Sequence, residues 1–138
     1  KSPLKQTLFI TNMEQILLID DDAVINFIHE KIISSVYPDA AVVILENGQK
    51  AVDYIQKNQQ NSYLVFLDIN MPIMDGWEFL EAMQDYPNKE NLNIHMLTSS
   101  VDLRDRSRAE DNSMVRSFLP KPLTKDVLRS IPFGEEPA

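Results

Sequence analysis

The stretch "LVFLDINMPIMDGW", Leu64 to Trp77, opens with four apolar residues, stops at Asp68, and then passes two methionines, a proline and a glycine before Trp77. A short unbroken apolar run bounded by turn-forming residues suits a strand covered on both faces, as in a parallel sheet. A carboxylate at the end of such a strand lies at the rim where open α/β sheets bind their ligands. The placement of Asp68 therefore raises both the fold and the function of the chain.

Outward from this segment lie four further apolar runs, the first two of them near-continuous like it. They are "QILLID" (Gln15 to Asp20), "AAVVIL" (Ala40 to Leu45), "NIHMLT" (Asn93 to Thr98) and "VRSFLP" (Val115 to Pro120), beside "YLVFLD" (Tyr63 to Asp68) itself. Helical patterns lie between them. The first takes Val24, Phe27, Ile28 and Ile32 as its apolar positions, with His29, Glu30 and Lys31 polar. The next, "NGQKAVDYIQK", places Val52 and Ile55 on one side; "GWEFLEAM" does the same with Trp77, Leu80 and Met83. "DLRDRSRAEDN" and "TKDVLRSI" complete the series, the latter with Thr124 as N-cap. Five strands alternating with five helices predict an α/β fold, a doubly wound five-stranded parallel sheet with helices on both faces. Residues 14–131 form the expected domain, with tails at 1–13 and 132–138.

Composition narrows the classes. The 138 residues are 43% hydrophobic and 25% charged, ordinary values for a globular domain. A chain of this length buries roughly two-thirds of its unfolded surface and needs no staples. The formal charge of -8 disfavours direct binding to nucleic acid or to an anionic membrane. The absence of cysteine excludes disulfides and thiolate metal sites. "LFI" at Leu8 to Ile10 is too short for a signal core or a membrane span, and the expected location is the cytoplasm. Positive charge gathers late: residues 101–131 hold seven Lys or Arg against five Asp or Glu, while residues 1–100 hold six against fourteen.

Four polar groups then fall at ends of different strands: Asp20, Asp68, Thr98 and Lys121. The aspartates Asp20, Asp21 and Asp22 by themselves suit N-capping of the following helix; the other reading is a hard-cation site, since Mg2+ takes oxygen ligands from one or two carboxylates, and it needs a further carboxylate. Asp68 supplies the partner carboxylate. Clustered carboxylates repel unless a cation is bound, and Asp68 can also act as a nucleophile that forms an acyl phosphate. Lys121, between Pro120 and Pro122, offers a point charge to a phosphoryl oxygen, and Thr98 a hydroxyl.

The pieces "ILLIDDDAV", "LVFLDINMPIMDGWEFL", "HMLTSS" and "FLPKPL" together resemble the receiver domain of two-component response regulators, in order from Gln15 to about Ile131. The resemblance is to single-domain, chemotaxis-regulator-like members and implies the flavodoxin-like receiver fold. It implies Asp68 as phosphoacceptor, Asp21 as a direct Mg2+ ligand, Asp20 as a partner acting through water, and the Asn70 backbone carbonyl as a third ligand. It implies Thr98 as the switch hydroxyl, Lys121 as the family's lysine, Phe118 as the aromatic that repacks with Thr98, and a cis Lys121-Pro122 bond. Pro72 and Gly76 would shape the loop over the site. Ser99 stands where alanine is common, Phe118 where tyrosine is common, and Asn70 and Ser100 at the two positions that tune phosphoryl lifetime.

The implied role is a stand-alone phosphorylation switch, not a turnover enzyme. It would be charged by a sensor histidine kinase or histidine phosphotransfer protein, discharge itself by hydrolysis, and signal through protein contacts to a downstream target. An aspartate-nucleophile phosphohydrolase and an unphosphorylated docking module are the alternatives. The former usually carries an acidic residue two positions after the nucleophile, where Asn70 stands. The intact set of Asp21, Asp68, Thr98 and Lys121 argues against the latter.

Overall fold

The structure, a computed structural model, describes residues 14–99 and 102–131. The expected tails and Ser100 lie outside these residues. Strands β1 (Glu14–Ile19), β2 (Val42–Leu45), β3 (Ser62–Asp68), β4 (Leu92–Thr98) and β5 (Val115–Pro120) form one parallel sheet in the order β2-β1-β3-β4-β5. The helices are α1 (Ala23–Val36), α2 (Gly48–Lys57), α3 (Gly76–Ala82), α4 (Leu103–Glu110) and α5 (Lys125–Ser130), with a 3-10 turn at Lys89–Asn91. The strand order reverses beside β1, so β1 and β3 flank the crevice where such sheets bind ligands.

The strand alternation builds two cores. Leu17, Ile19, Val65, Leu67, Ile94 and Met96 face α2, α3 and α4. Ile16, Leu18, Leu64, Phe66 and Leu97 face α1 and α5, meeting Ile33 and Leu128. Because β1 and β3 are covered on both sides, apolar residues are required at consecutive positions, which explains the unbroken runs. Truncating one of these fully buried leucines to alanine costs about 3 kcal/mol.

Helix starts are specified locally. Asp22, Asn47, Asp102 and Thr124 accept from backbone N–H groups of the first turns of α1, α2, α4 and α5. Asp75 and Glu78 form a reciprocal capping box on α3. Thr124 thus caps α5 as the sequence predicts.

Two expectations require correction. "AAVVIL" reads as a strand buried on both faces, but β2 is an edge strand and Ile44 is 39% exposed. The larger change concerns α1, where Val24 and Phe27 are 69% and 61% exposed while Asn26, His29 and Ile33 point inward. The cause is polar. The Asn26 side chain donates to the Asp20 carbonyl at 2.9 Å, and His29 Nε2 accepts from the Leu123 N–H at 3.0 Å. Turning the apolar stripe inward would leave those two buried backbone groups without these partners.

Candidate functional site

The three consecutive aspartates divide the work between them. Asp20 is buried just beyond β1 and receives the Asp22 N–H on Oδ1 at 2.9 Å. Asp21 is exposed at the lip. Asp22 accepts from the N–H groups of Val24 and Ile25 at 3.0 and 3.1 Å, capping α1. Capping and cluster formation are therefore both true, on different residues.

Asp68 is the last residue of β3, on the strand paired with β1, and is 7% exposed. Lys121 joins the two strand ends. Its Nζ lies 2.7 Å from Asp20 Oδ2 and 2.8 Å from Asp68 Oδ1. The lysine is held from behind: its N–H donates to the Thr98 carbonyl at 2.8 Å, the Lys121-Pro122 bond is cis, and Leu123 is tied to His29. Burial raises the Asp68 pKa above the ordinary carboxylate range, helped by the Asp20 charge and opposed by Lys121. Burial also works against the Lys121 ammonium, but its bonds to Asp20 and Asp68 outweigh that and move its pKa up.

One carboxylate oxygen from each of Asp20, Asp21 and Asp68 can be chosen so that all three lie within 4.8 Å of one another. Three carboxylates face a single ammonium, so negative charge is in excess. An all-oxygen, net-negative donor set fits a hard divalent cation. Asn70 follows two residues after Asp68 and is exposed.

The loop leaving Asp68 is tightly formed. Ile73 adopts a left-handed backbone, φ 71°, a conformation that a β-branched residue rarely takes, and it is 80% exposed. Gly76 donates to the Ile69 carbonyl at 2.8 Å, and a Cβ on Gly76 would stand 2.5 Å from the Asp68 carbonyl oxygen. Only glycine allows α3 to start this close to the strand end.

Thr98 ends β4 half-buried, adjacent to Asp68 in the sheet, where β3 pairs Asp68 with Leu97. Phe118 is half-buried in β5 against the α2-α3-α4 core, with the Arg106 guanidinium 5.8 Å from its ring centroid. Ser99 is exposed beside Thr98. The structure thus brings Asp20, Asp21, Asp68 and Lys121 together, with Thr98 and Phe118 on adjoining strands. Sequence reasoning missed Asn26 and His29. Their signal was a second stripe, Asn26-His29-Ile33, at helix spacing, hidden by its polar residue types.

The sequence profile of the response regulator receiver domain matches residues 16–131. The chain belongs to this family. A two-component response regulator from Cytophaga hutchinsonii is 30% identical with a TM-score of 0.77, over 86% of this chain and 93% of that one. A response regulator receiver protein from Dyadobacter fermentans is 26% identical with a TM-score of 0.76, over 85% and 93%. The receiver is also 29% identical, over 83% of its length, to part of the 3',5'-cyclic-nucleotide phosphodiesterase regA of Dictyostelium discoideum, covering 14% of that protein. It spans less than a third of the length of the first curated relatives it matches. Receiver domains of two-component signalling are phosphoacceptor switches in general, and some relatives join one to an enzyme. Among the described residues of this receiver, no helix is long and apolar enough to cross a membrane.

Proposed function

We propose that this receiver accepts a phosphoryl group on Asp68 from the phosphohistidine of a sensor histidine kinase or histidine phosphotransfer protein in the cytoplasm. The observation that carries the proposal is the Asp68 carboxylate at a strand end, 2.8 Å from the Lys121 ammonium and beside two further carboxylates. An Asp68 oxygen attacks phosphorus, the P–N bond to the donor imidazole breaks, and the acyl phosphate forms. Lys121 then exchanges a carboxylate oxygen for a phosphoryl oxygen, and Thr98 donates its hydroxyl to another. Attack by water on phosphorus later releases phosphate and restores the carboxylate.

Asp21, Asp68 and the Asn70 carbonyl would hold Mg2+, with Asp20 acting through water. Bound there, Mg2+ would offset the repulsion between Asp68 and an anionic donor. The site's own residues do the rest: Lys121 orients the carboxylate, and the tight Gly76 turn fixes the loop beside it. Output passes to a downstream protein through α4, β5 and α5, without direct contact to nucleic acid or membrane.

Intact-mass measurement after incubation with a small acyl-phosphate donor tests this. One phosphoryl adduct is expected, absent in Asp68→Asn and in chelator. Labelling that survives in either condition overturns the assignment.

A further inference from the structure

Beside the acidic centre, between α1 and the end of β2, lies a cleft of about 280 Å³. Asp21, Glu30 and Glu46 line it together with Phe27, Ile44 and Asn26, and no lysine or arginine does. Its volume is at the lower end of ligand pockets, suited to a side-chain-sized group rather than a nucleotide.

Acidic lining alone does not define a site. Asn26 supplies the independent observation. It is 4% exposed, its Nδ2 is committed to the Asp20 carbonyl, and its Oδ1 is buried with no partner among the described residues. A buried acceptor without a donor is a standing deficit that an incoming N–H removes. The Phe27 ring offers a second attraction, and Lys31 Nζ already lies 5.3 Å from its centroid. Glu46 is paired with Lys50 at 2.8 Å, but both are exposed and the pair is readily exchanged.

We propose that this cleft receives an arginine side chain of a protein partner. A guanidinium carries several donors in one plane, stacks on an aromatic face, and pairs with carboxylates. Its aliphatic stem would lie against Ile44. A protein source is indicated by the apolar part of the lining: Phe27 and Ile44 are 61% and 39% exposed, an apolar rim that a free small cation has no use for. The rim adjoins Asp21, so a partner seated on it is held next to Asp68. The proposal does not depend on phosphoryl transfer.

The test is titration of the isotopically labelled receiver, followed by NMR, with butylguanidinium and with its neutral analogue butylurea. Saturable shifts are expected at the Asn26 side-chain amide, Phe27, Ile44 and Glu46 with the cation, and binding at least about tenfold weaker with the urea. Equal responses overturn the cation site. Glu30→Gln combined with Glu46→Gln, checked for an unchanged melting temperature, should weaken the cation by about tenfold; unchanged affinity overturns the charge argument. A leucine-faced helical peptide bearing one arginine should bind about tenfold more tightly than butylguanidinium and lose that affinity when the arginine is citrulline. A peptide that binds no better than butylguanidinium overturns the protein partner and leaves a site for small free cations.

Discussion

The Leu123 N–H donates to His29 Nε2 at 3.0 Å, a buried bond between residues 94 apart in sequence. It fastens the middle of α1 to the chain two residues beyond Lys121. His29→Leu removes the acceptor and leaves a buried N–H unpaired, at a cost of about 1–3 kcal/mol. Phosphorylation of Asp68 should slow as well, because Lys121 loses its support. Gln places an oxygen at a similar reach, so His29→Gln should recover most of the rate. Urea unfolding and acyl-phosphate kinetics on both variants check this; equal loss in the two would show that the ring's packing matters rather than its acceptor.

The pH dependence of stability follows from the two histidines. Burial pushes His29 down to about 4, with Lys121 assisting and Asp20 opposing. Burial and Arg116 push His95 down to about 4 as well. His95 Nδ1 is 2.6 Å from Ser117 Oγ, and its Nε2 has no partner among the described residues. Unfolded histidine takes up protons from about pH 6.5 downward, so the unfolded state binds more protons in this window. The stability tied to each neutral ring is complete above about pH 6.5 and is lost as pH falls toward 4, amounting to about 2 kcal/mol per histidine by pH 5. The raised pKa of Asp68 acts in the opposite sense and partly offsets it. Urea midpoints at pH 7 and pH 5 should differ, and His29→Gln with His95→Gln should flatten the profile. A flat profile in the parent contradicts buried neutral rings.

The contrast between His29 and Asp68 shows what the sequence could and could not disclose. A strand covered on both faces demands consecutive apolar residues, so β1 and β3 announce themselves, and the polar residue ending each run falls at the sheet's rim. Asp20, Asp68, Thr98 and Lys121 were legible for that reason. The rotation of α1 was not, because Asn26 and His29 are turned inward by backbone partners on other segments. Composition pointed Phe27 toward the core; the hydrogen bonds put it outside. The exposed edge of β2 was hidden for a related cause, since its neighbours are fixed by strand order rather than by its own residues.

Lys121 bridges two buried carboxylates at 2.7 and 2.8 Å, and its removal should expose their repulsion. Breaking a buried pair costs about 3 kcal/mol, because charge is left uncompensated. Lys121→Ala should therefore melt lower than the parent without divalent ions and regain more on addition of Mg2+, the cation taking over the lost neutralisation. It should still bind Mg2+ yet fail to relay the phosphoryl signal. Lys121→Arg should not restore signalling fully, since a planar fork does not replace a point charge. Thermal melts with and without Mg2+ decide the first point. An equal Mg2+ response in parent and variant would place the ion away from Asp20 and Asp68.

The last prediction concerns the route of the signal. Arg104, Arg106 and Arg108 of α4 belong to the basic final third of the sequence, but they are not used alike. The Arg104 side chain is 93% exposed beside Asp102, whereas Arg106 lies over Phe118 and Arg108 lies 4.4 Å from the Trp77 ring centroid. Two of the three thus grip aromatics next to the site, one in the first turn after the acceptor loop and one on β5. Movement of Thr98 toward a phosphoryl group, with Phe118 repacking, must change the Arg106 contact and bias α4 between two arrangements. With a beryllofluoride phosphoryl mimic, amide-exchange changes should extend from the acceptor loop through residues 102–120. Trp77 is the chain's single tryptophan, so its emission reports the other grip. Arg108→Ala should shift that emission while costing less than about 1 kcal/mol of stability, the scale of an exposed cation–π contact. Exchange changes confined to residues 69–76 would show that α4 and β5 do not carry the output.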